Sequence, residues 1–152
     1  MEVNESKLIE RELTLRDLRI NKEVTETRRS IVRWLALSLG IISPGESRLT
    51  AVSVLDGLLY YQFKERKDPS VEELMVYIGK SWGEINEKTL RYHLLQLKKT
   101  NIITNSKGKY SLVGPGIGDK YDPEEWMGNY LDYQINPIKE KLRIAIKELR
   151  NR

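Results

Sequence analysis

The chain has no cysteine among its 152 residues and only one histidine, His93. A disulfide framework, a thiolate zinc site and a cysteine nucleophile are therefore excluded, and a histidine-rich metal site is excluded with them. Phenylalanine occurs once. The longest apolar run is 34–42, interrupted by Ser38, far short of the roughly 20 residues that span a bilayer. The first residues lack the basic-then-apolar profile of a signal peptide. These absences lead to the expectation of a cytoplasmic protein with no membrane partner.

Charge, by contrast, is plentiful. Charged residues make up 32% of the chain and the formal net charge is +4. The excess is unevenly spread. Between Lys80 and Val113, seven bases face Glu84 and Glu87, whereas residues 1–26 carry seven acids and five bases. A local basic excess marks a candidate nucleic-acid face.

That basic stretch has its own pattern. Asn86 is a good helix N-cap, and Ile85 and Leu90 have the spacing of a hydrophobic staple. Leu90, Leu94 and Leu97 recur at i, i+4, i+7 and predict one buried stripe. Lys88, Thr89, Tyr92, Gln96 and Lys99 lie on the opposite arc, with Arg91 and Leu95 on its flank. The helix is followed by two short alternating segments joined by Lys107-Gly108, a hairpin signature. A basic-faced helix followed by a lysine-tipped hairpin resembles the recognition helix and wing of winged helix-turn-helix proteins. The string Thr89-Leu90-Arg91-Tyr92-His93-Leu94 is similar to the recognition helix of ArsR- and MarR-type regulators, and Asn101-Ile102-Ile103 and Gly108-Lys109-Tyr110 are similar to the entry and exit of their wing. The resemblance covers about 47–113.

The rest of the chain predicts further helices. Leu8, Leu15 and Leu18, widened by Ile9, Leu13 and Ile20, predict a helix over 5–21. Thr25 or Thr27 opens a second, which Gly40 closes, and Ser47 or Thr50 opens a third with a core stripe of Val52, Leu55, Leu58, Leu59 and Phe63. Ser70 and Glu73 form a capping box for a fourth. Trp82 falls in the link between this helix and the basic one, at a place to plug the gap between them. A Gly/Pro linker follows at 114–120. Asp122-Pro123 then opens a helix, and Asn136-Pro137 is expected to open another. In that last helix Ile138, Leu142, Ala145 and Leu149 alternate at four and three residues, the seam of a two-helix contact. The fold class expected is mostly α with a small β-hairpin wing: an N-terminal helical extension (1–45), a winged helix-turn-helix domain (46–113) and a C-terminal helical extension for dimerisation (114–152).

No constellation for catalysis is legible. His93 has no nucleophile or carboxylate placed beside it and reads as a residue bordering the core. Glu72-Glu73 reads as favourable charge at a helix start, and Tyr60-Tyr61, Trp126, Tyr130 and Tyr133 read as packing residues. The protein is thus expected not to be an enzyme and to need no cofactor or metal; the sequence carries no support for a small-molecule effector. The resemblance implies a sequence-specific double-stranded DNA-binding regulator acting as a homodimer. The helix at 86–100 would enter the major groove and the hairpin at 102–113 would be the wing. Lys88, Thr89, Arg91, Tyr92, Gln96, Lys99, Lys107 and Lys109 would contact nucleic acid, and Ile138, Leu142, Ala145 and Leu149 would hold the dimer. The alternative is a winged-helix module that binds protein within a larger complex.

Overall fold

The computed structural model describes residues 4–114 and 118–152. Among them, six α-helices and one antiparallel hairpin follow in order: α1 (Lys22–Thr25), α2 (Arg28–Ser38), α3 (Thr50–Tyr60), α4 (Val71–Ser81), α5 (Glu87–Lys99), β1 (Ile103–Ser106), β2 (Lys109–Leu112) and α6 (Pro123–Arg150). The linker expected at 114–120 lies in part, at 115–117, outside the described residues.

Local chemistry sets most of the boundaries. Thr27 caps α2 by accepting from Ser30 N–H at 3.1 Å. Ser70 and Glu73 cap α4 reciprocally, at 3.2 and 3.1 Å. The Asn86 carboxamide accepts from Lys88 N–H at 2.7 Å and starts α5. Helices α2 and α5 end alike. Gly40 and Asn101 take positive φ, and the residue after each donates back five positions, Ile41 to Ala36 and Ile102 to Leu97. This pairing satisfies carbonyls that the helix end would otherwise strand.

Helix α3 is the hub of the packing. It touches α2, α4, α5 and β2, and every residue from 52 to 59 is buried. One hydrophobic core unites Val32 and Ala36 of α2, Leu55 and Leu58 of α3, Leu74 and Ile78 of α4, Leu90 and Leu94 of α5, Ile103 and Leu112 of the hairpin, and Trp126 and Tyr130 of α6. Residues on both sides of the 46–113 segment therefore share its core.

Buried polar groups staple this core. Asp56 on α3 accepts from Arg28 Nε at 2.6 Å, Tyr77 Oη at 2.8 Å and Trp82 Nε1 at 2.8 Å. Three elements are thus tied to one carboxylate, with Trp82 half-buried at the end of α4. Buried Gln62, in the π-helical turn Tyr61–Glu65 that continues α3, accepts from Leu112 N–H at 2.9 Å and donates to the Lys120 carbonyl at 2.8 Å, which fastens the hairpin and the following segment to that turn.

Two expectations are corrected. Residues 5–21 do not form a helix. A single 3-10 turn at Glu5–Leu8 leads into an extended strap over 9–21. The strap's backbone finds partners on α2 instead of on itself: Arg16 N–H donates to Ser38 O at 2.9 Å, and Ser38 Oγ donates to Arg16 O at 2.9 Å. The Arg16 guanidinium meets the Leu37 and Ile42 carbonyls at 2.8 and 2.9 Å, and Trp34 Nε1 donates to Arg19 O. Thr14 crosses so close to Gly40 that a Cβ there would lie 2.7 Å from the Thr14 carbonyl. Tertiary pairing overrides the helical periodicity of the leucines, and Leu8, Ile9, Leu15 and Ile20 stay exposed.

The second correction concerns the C-terminus. Asn136-Pro137 does not open a new helix; α6 runs unbroken through it for 28 residues. Proline lacks the N–H that would bond the carbonyl four residues earlier, which is that of Tyr133. The structure supplies another donor. Arg11 Nη2 donates to the Tyr133 and Gln134 carbonyls, each at 3.1 Å, with its guanidinium over the Tyr133 ring.

Candidate nucleic-acid interface

Helix α5 buries Leu90, Leu94 and Leu97. Its 3.6-residue period therefore turns Lys88, Arg91, Tyr92, Leu95 and Lys99 outward, and all five are exposed. Among the described residues, the side-chain amines of Lys88, Lys98 and Lys99 have no hydrogen-bond or ion-pair partner, while Arg91 sits 3.5 Å from Glu87 in a surface pair. Such a pair contributes little, because both ends stay hydrated. Thr89 and Gln96 lie at the edge of this face and are half-buried.

Tyr92 is 57% exposed, its ring edge-on to His93. Leu95, 48% exposed, stands in the middle of the face and not on its flank. Its place was readable from the helical period, since it falls between Lys88, Arg91 and Tyr92 on the wheel. It adds the one aliphatic contact to an otherwise polar surface.

The hairpin lies next to the C-terminal end of α5. Ile103 pairs with Leu112 and Ser106 with Lys109, and the turn between them has positive φ at both Lys107 and Gly108. That twist suits a two-residue hairpin turn, and Asn105 Oδ1 braces it by accepting from Gly108 N–H at 3.0 Å. Tyr110 N–H donates to the Pro69 carbonyl at 2.9 Å, which ties β2 to the loop before α4.

The two hairpin lysines differ. Lys107 is exposed at the tip with no partner among the described residues. Lys109 sits 3.7 Å from Glu73, which also bonds Lys67. The Lys67 hydrogen bond holds the Glu73 carboxyl below its ordinary range, and Lys109 adds to the effect. One carboxylate is thereby shared between two lysines.

A pocket of about 410 Å³ adjoins the edge of the α5 face, where Tyr92, His93 and Gln96 meet Glu46, Arg48 and the strap residues Glu12 and Thr14. Burial holds the His93 imidazole below its usual range, against the opposing pull of Glu46. No group of three or more metal-ligating side chains occurs among the described residues. Tyr60 and Tyr61 are engaged: Tyr60 Oη donates to Glu65 at 2.6 Å and Tyr61 Oη to the Glu73 carbonyl at 3.1 Å. Trp126 and Tyr130 are buried and stacked.

The four residues of the expected dimer seam are brought to one face. Ile138, Leu142, Ala145 and Leu149 lie along the second half of α6, and all are exposed. No helix is long and apolar enough to cross a membrane among the described residues. Comparison of the chain with protein-family models, with curated proteins and with solved structures finds no match.

Proposed function

We propose that the chain is a winged-helix protein that binds double-stranded DNA in a sequence-specific way and acts as a transcriptional regulator. The observation that carries this reading is the outward face of α5, where partnerless Lys88 and Lys99 flank exposed Tyr92 and Leu95. In this reading α3, α4 and α5 form the helical part of the fold, with α5 in the major groove, and the β1–β2 hairpin is the wing. Lys88, Arg91, Lys99 and Lys107 supply cations for phosphate, which gives affinity. Tyr92 and Leu95 meet base edges, where the thymine methyl is a natural partner for an aliphatic side chain. Thr89 and Gln96 contact bases from the rim, and Lys109, which like Arg91 already faces a carboxylate, adds a contact on the wing.

Selection of bound duplexes from a random pool tests this reading. A defined consensus is expected, and Tyr92→Ala should relax it while leaving the subunit folded. Recovery of duplexes without any consensus removes the sequence-specific reading.

One observation favours a second reading. Tyr92 and Leu95 together place an aromatic and an aliphatic group on the same exposed face, as a protein-binding surface would. The same fold would then be an interaction module in a larger complex, and the purified protein would retain no duplex.

A further inference from the structure

We propose that the second half of α6 pairs with the same segment of a second copy of this chain, antiparallel, about a two-fold axis that crosses the helix between Arg143 and Ile144. The first half of α6 is held to the body by buried Trp126, Tyr130 and Gln134. From Asn136 to Arg150 every residue is exposed, among them Leu142 at 56% and Leu149 at 75%. An apolar stripe left in water over this length marks an interface.

The side chains themselves select the occupant and its direction. An axis between Arg143 and Ile144 sets Leu142 against the partner's Ala145 and Ile138 against the partner's Leu149. Each central layer then pairs a large residue with a small one, which fills the seam. It also brings Lys141 and the partner's Glu148 to the same flank, about two residues apart along the axis, or roughly 3 Å at 1.5 Å per residue. Symmetry makes this contact twice. Glu148 is free to take part: its existing contact, with Arg152 at 3.3 Å, is an exposed surface pair. On the other flank the Lys139 stem lies along the partner's Ile146, so that this exposed isoleucine gains cover.

A parallel pair does worse on each count. It sets Ala145 on Ala145 and leaves a gap, and it aims Lys141 at the partner's Ile146 while Glu148 finds no cation. The position of the axis agrees with the exposure as well. It falls at the middle of the exposed stretch 136–150, so the two bodies stand clear of each other at its ends. A two-fold pair is the commonest closed assembly.

The absence of native cysteine makes the test clean. Ile138→Cys and Leu149→Cys are made separately in the full chain and oxidised alone and as a mixture. The antiparallel pair yields a disulfide-linked dimer in the mixture only, because each cysteine faces the other position. Linked dimer in each variant alone means a parallel pair, and monomer in all three samples means no pair; either result overturns the proposal. Should the cysteines themselves weaken the seam, Lys141→Cys with Glu148→Cys repeats the experiment on the flank with the seam intact. Lys141→Glu should weaken dimerisation severalfold in sedimentation, and Lys141→Glu with Glu148→Lys should restore it; failure of the double swap to restore the dimer counts against the antiparallel flank. None of these readouts uses DNA, so they stand or fall apart from the proposed function.

Discussion

Helix α5 and the second half of α6 are both amphipathic and rich in lysine or arginine, yet they face water in opposite ways. In α5 the leucine stripe is satisfied at home, against α3 and α4, and the surface left over is cationic. In α6 beyond Pro137 the apolar stripe is left exposed among the described residues, and the bases flank it. A hydrophobic period in a sequence shows which residues share a face; it does not show whether the subunit itself covers that face. The proposed partners follow that difference: a polyanion for α5, and a second copy of the same helix for α6.

The largest effect should come from cutting the buried stripe. Leu94→Ala is expected to cost about 2–5 kcal/mol of unfolding free energy, because Leu94 is 1% exposed and its removal leaves a cavity. Leu142→Ala, in solution dilute enough for any pair to dissociate, should change it by less than about 0.5 kcal/mol, as substitutions at exposed sites do. Urea unfolding of the two variants side by side gives the contrast. Equal losses would mean that the end of α6 folds back onto the body.

A smaller effect is expected at the joint between the two halves of α6. Arg11→Ala removes the donor that serves the Tyr133 and Gln134 carbonyls next to Pro137. The expected loss is about 1 kcal/mol, the worth of a typical hydrogen bond, together with reduced helicity in far-UV circular dichroism. Unchanged helicity would show that water replaces Arg11 without loss.

That joint also shows where sequence reading stops. The cap at Asn86, the Ser70–Glu73 box, the Leu90–Leu94–Leu97 stripe and the Lys107-Gly108 turn were all legible, because each depends on residues within a few positions of one another. So was most of the α5 face. The strap was not legible, since Leu8, Leu15 and Leu18 fit a helix and only the contact of Arg16 with α2 reveals the extended path. Nor was the continuity of α6, where Pro137 is a stop signal in any local reading and its compensation comes from Arg11, over 120 residues away in sequence. The Asp56 hub was not legible either, because an acid in a leucine-rich helix carries no local sign of Arg28, Tyr77 and Trp82 converging on it.

The smallest effect concerns His93, on the pocket side of α5. Burial lowers its pKa in the folded chain relative to the unfolded one. Its contribution to stability is therefore complete above the unfolded value, about 6.5, and is lost as pH falls through the folded value. His93→Gln should flatten the acid side of the stability curve below about pH 6.5, measured by thermal melting. A steeper acid loss in the variant would mean that the protonated imidazole is favoured by Glu46 and that burial is not the dominant influence.

The most direct measurement is duplex binding as a function of salt, for the native chain and for Lys88→Ala and Lys99→Ala. Cations that contact phosphate release counterions, so log affinity should fall linearly with log salt. Each lysine removed should flatten that slope by about one unit while leaving the melting temperature and the oligomeric mass unchanged. A slope that neither substitution moves, or no duplex binding at low salt, would contradict the assignment of α5 to the DNA groove.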